Sequence, residues 1–416
     1  MRTVNANMSE PSIKETGGFF SRLKGDKSVW AVAALLALFS FLPIYSASSN
    51  LAYLYGGNGD TFKFLFTHFV HLFLGFVIMF VVHRVPYHYF KGLSILGIPI
   101  VVVLLIYTLM QGTTVQGASA SRWITIPFIN KSFQSSSLAL IVLMVYVARY
   151  LSKTKDQHLT FKESILPLWV PVALIVGLVL PSNFSTAAII FMMVLLLAFI
   201  GGYPFKYLLF IVGIGLFTLG LFVLMAKAFP EVMPNRVDTW TSRLESFMDK
   251  DETTDNYQIE RSKIAISRGG ITGVGIGKSV ERNFLPQSSS DFIYAIIVEE
   301  MGLIGGFGVI LLYLWLLYRF VLISTKAESD FGKLVVMAVG LPIIFQAFIN
   351  MAVAVHLLPV TGQTLPLISD GGTSIWMTCA AIGMVLGVSI KKEEQDKIKQ
   401  EEELEDNPLE ILSEAI

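Results

Sequence analysis

The chain has a single cysteine, little charge and no excess of either sign. The lone thiol, Cys379, excludes an intramolecular disulfide and any cysteine-built metal cluster; inside an apolar run it reads as a small packing residue. Net charge is zero, so no basic field marks a nucleic-acid binder. Charged residues make up 15% of the chain, against about 25% in a soluble protein. No internal repeat is visible, which withholds support from inverted-repeat transport folds. No small-x-small cleavage site accompanies the first apolar run. Its basic lead of Lys14, Arg22, Lys24 and Lys27 therefore flanks a permanent span rather than a signal peptide.

What fills the chain is hydrocarbon: 54% of its 416 residues are hydrophobic and the mean hydropathy is +0.64. Apolar runs of roughly 20 residues are long enough to cross a bilayer as helices. They predict an all-α polytopic membrane protein of about ten transmembrane helices, near 29–47, 66–83, 92–111, 136–151, 165–181, 184–201, 206–226, 292–319, 333–357 and 373–390. With the N-terminus in the cytoplasm, short inner loops carry ten basic residues and short outer loops only Lys63, Arg122 and Lys131. The expected order is a cytoplasmic segment (1–28), helices one to seven (29–226), a large extracytoplasmic loop (227–290), helices eight to ten (291–390) and an acidic cytoplasmic tail (391–416).

The chemistry sits in three outer segments. Where the large loop turns back into hydrocarbon, Ser288-Ser289-Ser290-Asp291 offers helix-capping side chains, and Asp291 also offers a general base at lipid-headgroup depth. The cations Arg122, Arg243, Lys263, Arg268 and Lys278 could compensate an anionic leaving group, although each also reads as a solvated charge. Five glycines between Gly269 and Gly277 lack the spacing of a phosphate loop and predict a tight turn near the membrane surface. Glu299 and Glu300 fall about two turns into the eighth helix, where they would support an outer-loop arginine. The segment Leu358–Ser374 holds two prolines and three glycines. Irregular backbone at that depth must be buried in protein or line a wet cavity, so it should fold inward, offering Thr361 and Ser369 as substrate contacts. His68 and His71 share a helix face without a carboxylate, too little for a metal site.

Together, Gly117-Ala118-Ser119 with Ser121-Arg122-Trp123-Ile124, Gly269-Gly270 with Gly273–Gly277, Leu285-Pro286 with Asp291-Phe292-Ile293 and Glu299-Glu300-Met301-Gly302, and Pro359-Val360-Thr361-Gly362 with Leu365-Pro366-Leu367-Ile368-Ser369 resemble the FtsW/RodA family of cell-wall polymerases. The resemblance runs from about Val29 to Ile390. It implies an inverting glycosyltransferase of the bacterial cytoplasmic membrane that polymerises lipid II, releases undecaprenyl diphosphate and works with a class B penicillin-binding protein and other division proteins. It puts the essential aspartate on Asp291 and motif arginines on Arg122 and Arg243. No organic cofactor is implied, and a divalent cation, Mg or Mn, is the one inorganic candidate. The polar N-terminal lead and acidic tail look more like the division branch than the elongation branch.

The chain departs from the family pattern at Ser137 and Leu140, where a Glu and a Lys are usual, and at Ser182-Asn183-Phe184-Ser185-Thr186, where Pro-Asp-Leu-Gly-Thr is usual. Asp370 replaces a tyrosine, and Ser289 and Ser290 replace a histidine and a threonine. Two readings compete with a polymerase: a flippase of lipid-linked precursor, and a non-catalytic scaffold for a partner enzyme.

Overall fold

The structure, a computed structural model, describes residues 23–56, 61–111, 123–126, 131–155, 157, 160–228, 254–285 and 287–390. Its helices are α1 (Lys27–Gly56), α2 (Thr61–Val82), α3 (Tyr89–Gln111), α4 (Ser135–Thr154), α5 (Phe161–Val179), α6 (Phe184–Ile200), α7 (Phe205–Ala228), α8 (Thr254–Gly269), α9 (Ile293–Lys326), α10 (Asp330–Ala354) and α11 (Thr373–Ser389). A short antiparallel hairpin, β1 (Ile124–Ile126) with β2 (Lys131–Phe133), precedes α4. Among the described residues eight helices are long and apolar enough to cross a membrane, and α6 and α11 are shorter apolar helices. These ten match the ten expected spans to within several residues at most ends. Among the described helices only α8 is polar, and it lies in the expected large loop.

Apolar surface sorts the helices. In α10, 72% of the span is buried inside the protein, whereas in α7 the share is 6%. The chain therefore wraps around α10, with α4, α6 and α11 beside it contributing Met144, Met193 and Ile382 to the core. Large side chains on α2, α3 and α7, including Phe62, Phe69, Leu96 and Phe217, face outward. Such a belt is unstable in water and suited to lipid.

The two ends of the bundle differ. At one end Asp26 pairs with Arg319 near the close of α9, and its backbone N–H donates to Ser389 Oγ at 2.9 Å. Both described termini thus share an end, and Asp291, just before α9, lies at the other.

At 34 residues α9 would run about 51 Å, far beyond a hydrocarbon core of about 30 Å. It is broken at Gly302, which adopts φ +69° and ψ −171°. The first part, through Glu300, is buried in protein, and the rest crosses. A broken helix leaves backbone groups unpaired, which is costly away from water. The glycine-rich turn after α8 supplies the missing partners. Val274 and Gly275 N–H donate to the Glu299 and Glu300 carbonyls at 3.0 and 2.9 Å, and the Gly270 and Ile271 carbonyls accept from Leu303 and Ile304 N–H at 2.9 and 3.3 Å. So close an approach excludes side chains: a methyl group at Gly273 would stand 2.2 Å from the Glu300 carbonyl oxygen.

Candidate functional site

At the end opposite the termini the helices part around a cavity of about 1030 Å³. Asp291, Arg282, Gln287 and Ser288 line it together with Gln363, Thr364 and Asp370, and Trp123, Gln134, Asn183 and His71 also contribute. The segment after α10 folds inward as its prolines and glycines require.

Asp291 is held by its backbone. Asn350 Nδ2 of α10 donates to the Asp291 carbonyl and to the Gln363 carbonyl, both at 2.7 Å. Ser369 Oγ donates to the Ser290 carbonyl at 2.6 Å and accepts from Leu365 N–H at 2.7 Å. Asp370 N–H donates to the Ser289 carbonyl at 2.9 Å. Two segments some 80 residues apart in sequence are thereby stitched into one wall. Gln287 (φ +56°) and Leu367 (φ +64°) bend the two strands of that wall in the left-handed region, a cost of about 1–2 kcal/mol each that the stitching must hold in place.

The expected capping role is corrected. The N-cap of α9 is Phe292, without a side-chain cap bond. A turn opened by Gln287 precedes the helix, its carbonyl accepting from Ser290 and Phe292 N–H at 3.0 and 3.4 Å, and the Phe292 carbonyl accepts from Ala295 N–H at 3.0 Å. Asp291, one residue ahead of that N-cap, lines the cavity.

Glu299 and Glu300 are buried, at 0% and 3% exposure, a costly state for carboxylates without partners. Glu299 accepts from Val280 and Glu281 N–H at 3.0 and 3.4 Å and from the Ser279 hydroxyl. Glu300 accepts from Ser279 N–H at 3.2 Å and from the Ser46 hydroxyl of α1. Arg268 Nε stands 3.9 Å from Glu299, so the acidic pair does serve an arginine of the loop. Its larger effect is to fold 279–281 tightly and turn the next residue, Arg282, into the cavity. Arg282 Nη1 donates to Ser46 Oγ at 2.9 Å and to the Gly277 carbonyl at 3.0 Å, while its Nε is buried without a hydrogen-bond partner.

Other sequence candidates lie elsewhere. Lys263 is exposed on α8 near His356, and Arg268 is half-exposed beside Glu299; neither lines the cavity. Thr361 and Ser369 stand behind the wall, and Ser369 is committed to backbone bonds. Arg122 and Arg243 fall outside the described residues. Arg282 was not among the cations singled out from the sequence; its signal was weak, a cation beside Glu281 in a polar stretch. Ser137, Leu140 and Asn183, three departures from the family pattern, all line the cavity, as does Asp370. Among the described residues no three His, Cys, Asp or Glu side chains are grouped to hold a metal ion.

Comparison with known proteins gives a consistent result. The family described as cell cycle protein, comprising FtsW, RodA and SpoVE, matches residues 26–394. The chain is 32% identical over 380 residues to a probable peptidoglycan glycosyltransferase FtsW of Geobacter sp. strain M18, covering 89% of this chain and 98% of that one. It is 31% identical over 383 residues to the corresponding protein of Coxiella burnetii, covering 90% and 99%. Among solved structures it resembles a chain of a peptidoglycan synthase complex that coordinates polymerization and crosslinking (TM-score 0.67, 25% identity, 88% and 97% covered). It also has the fold of Thermus thermophilus rod shape determining protein RodA (TM-score 0.62, 23% identity, 88% and 96% covered).

Proposed function

The chain belongs to the FtsW, RodA and SpoVE family, and from that premise we propose that it polymerises lipid II into glycan strands for the septal wall. It is a peptidoglycan glycosyltransferase of a bacterial membrane. The observation that carries the site assignment is Asp291 on the wall of a large cavity, its backbone fixed by Asn350 and flanked by Ser369 and Asp370 contacts. The excess of basic residues in short loops at the terminus end supports a cytoplasmic position for both termini and an extracytoplasmic one for the cavity.

In the proposed reaction the 4-hydroxyl of one lipid-linked disaccharide attacks the anomeric carbon of the growing chain. Asp291 takes the hydroxyl proton as the new glycosidic bond forms. The anomeric carbon–oxygen bond breaks, and undecaprenyl diphosphate departs with the electron pair. Arg282 is the described cation that faces this charge, with Arg122 and Arg243 as further sources. One displacement inverts an α-linked donor to a β-linked product, so no covalent enzyme intermediate is needed. A divalent cation would be held by Asp291 and Asp370 together with the substrate's own phosphates, where it would balance the leaving group's charge. A class B penicillin-binding protein is the proposed partner, and the polar lead and acidic tail favour division over elongation.

The decisive experiment supplies lipid II to the purified chain and resolves the products on gels. Wild-type protein should make glycan strands and Asp291→Asn should not; strands of normal yield from the variant remove Asp291 from the reaction. A cavity this deep would also serve a lipid carrier. Translocation of lipid II across vesicle membranes, retained by Asp291→Asn, would identify a flippase instead.

A further inference from the structure

A second cavity, of about 390 Å³, opens at the other end of the bundle, between the end of α4, the linker to α5 and the turn from α6 into α7. Lys155 and Gln157 line it from the linker, and Lys206 and Tyr207 from the first turn of α7. Lys155 is bonded at 2.6 Å to Asp330, the first residue of α10, which fixes the cavity at the end that holds the described termini. Another lining residue, Tyr203, is buried and held in place: its hydroxyl accepts from Trp169 Nε1 at 3.1 Å and pairs with Ser164 Oγ at 2.5 Å.

The described acids near the cavity are engaged. Asp330 meets Lys155 and Lys333, and Glu163 accepts from Thr160 N–H at 3.1 Å. Lys206 stacks over the Tyr207 ring at 5.0 Å and joins no ion pair among the described residues. Asp156 and His158 of the linker lie outside those residues. Hydrocarbon surface begins beside the cations. Phe205 of α7 and Leu166 of α5 are 60% and 76% exposed, and Leu209 and Phe210 follow one turn along α7. The protein itself holds α7 lightly: 6% of its span is buried, and Phe161 of α5 packs on its Tyr207 and Phe210 rings at 5.4 and 5.2 Å.

We propose that this cavity seats the headgroup of an anionic phospholipid, its phosphate facing Lys155 and Lys206 and its acyl chains lying along α5 and α7. The basic short loops assign this end to the cytoplasmic leaflet. Lysines at the membrane surface attract an anionic headgroup, and Tyr207 with Tyr203 supplies the aromatic lining usual at that level. A free phosphate ester would meet the same cations and leave the apolar slope uncovered; a lipid covers both. Bound there, it ties the α4–α5 linker to the span that protein contacts hold least. Nothing in this inference depends on the reaction at the opposite end.

The full chain, stripped of lipid in detergent, is titrated with phosphatidylglycerol or with phosphatidylcholine, and bound lipid is counted by native mass spectrometry. Wild-type protein should bind the first phosphatidylglycerol more tightly. Lys206→Gln should weaken that binding roughly fivefold, the worth of one lysine beside an anionic headgroup. Gln157→Glu, which adds an anion to the lining, should weaken it too. Lys326→Gln removes an equal charge at the same end but outside the cavity, and should leave it unchanged. Equal binding of the two lipids, unchanged affinity in either cavity variant, or an equal loss in Lys326→Gln overturns the proposal. Glycerol phosphate should not displace the lipid; displacement would mark a site for soluble phosphate esters and overturns it as well.

Discussion

Gly273→Ala tests whether the glycine-rich turn holds the break in α9. Gly273 sits at φ +82°, where a side chain costs about 1–2 kcal/mol. The larger cost is steric. The added methyl would stand 2.2 Å from the Glu300 carbonyl oxygen and 2.4 Å from its carbon, and the obstacle is backbone that no rotamer change relieves. The turn must withdraw, breaking the bonds from Val274 and Gly275 N–H. Each leaves a buried carbonyl unsatisfied, at about 1–3 kcal/mol apiece. The sum, about 3–8 kcal/mol, is a large part of the 5–15 kcal/mol that holds a typical protein folded. Gly277→Ala is the internal control: its φ is +76°, but a methyl there meets nothing within 4 Å, so only the conformational cost of about 1–2 kcal/mol applies. Thermal inactivation half-lives in detergent read the difference, since unfolding of such a protein is rarely reversible. Gly273→Ala should inactivate far faster than Gly277→Ala. Equal half-lives would mean that close backbone packing contributes nothing and that the turn is not a structural partner of the break.

Two further outcomes follow from the site and a third from the contact between His356 and α8. Asn350→Ala releases the Asp291 and Gln363 carbonyls; kcat for glycan synthesis should fall roughly 10–100-fold with little change in KM, and a selective rise in KM would refute the positioning role. Arg282→Ala should lower kcat/KM by roughly 10–100-fold and Arg282→Lys should restore part of it; unchanged kcat/KM in the alanine variant would take Arg282 away from the leaving group. His356 is neutral-favouring: burial, and secondarily Lys263, lower its pKa. Its folded value lies below the unfolded value of about 6.5, so its contribution to stability is whole above that pH and is lost as pH falls through the folded value. Hydrogen exchange of α8 should therefore quicken on acidification, and less so in His356→Asn, which also tolerates the residue's φ of +60°.

The spans were legible because a bilayer imposes one rule on every helix: about 20 apolar residues with few charges. The inward fold of the segment after α10 was legible for a related reason, since its prolines and glycines cannot be helical and lipid admits nothing irregular. Arg282 was not legible. Its direction depends on Glu299 and Glu300, 17 and 18 residues later, gathering the amides of 279–281, and no local pattern announces such a pairing. The caps of α9 were misread for the opposite reason. Four capping side chains stand in a row, but a turn at Gln287 takes up the Ser290 and Phe292 amides and shifts the N-cap to Phe292. Ser369 shows a third limit: a serine in a family motif reads as a substrate contact, whereas its hydroxyl joins two pieces of backbone.

The floor of the cavity bears on what kind of protein this is. Below Ala338, Phe331, Leu334, Val335 and Val336 of α10 are buried in the main core, together with Leu143 and Met144 of α4, Met193 and Val194 of α6, and Val385 and Leu386 of α11. From Ala338 to Phe331 the distance is about 10 Å of close-packed hydrocarbon. To carry a lipid headgroup across, the four helices would have to part along that length and admit a diphosphate where no described polar partner waits, at a cost of many kcal/mol. Polymerisation asks for no such opening. Donor, acceptor and Asp291 need only meet at the mouth, while the tails remain in hydrocarbon throughout. The same four helices that close the bundle thus bound the cavity that Asp291 lines.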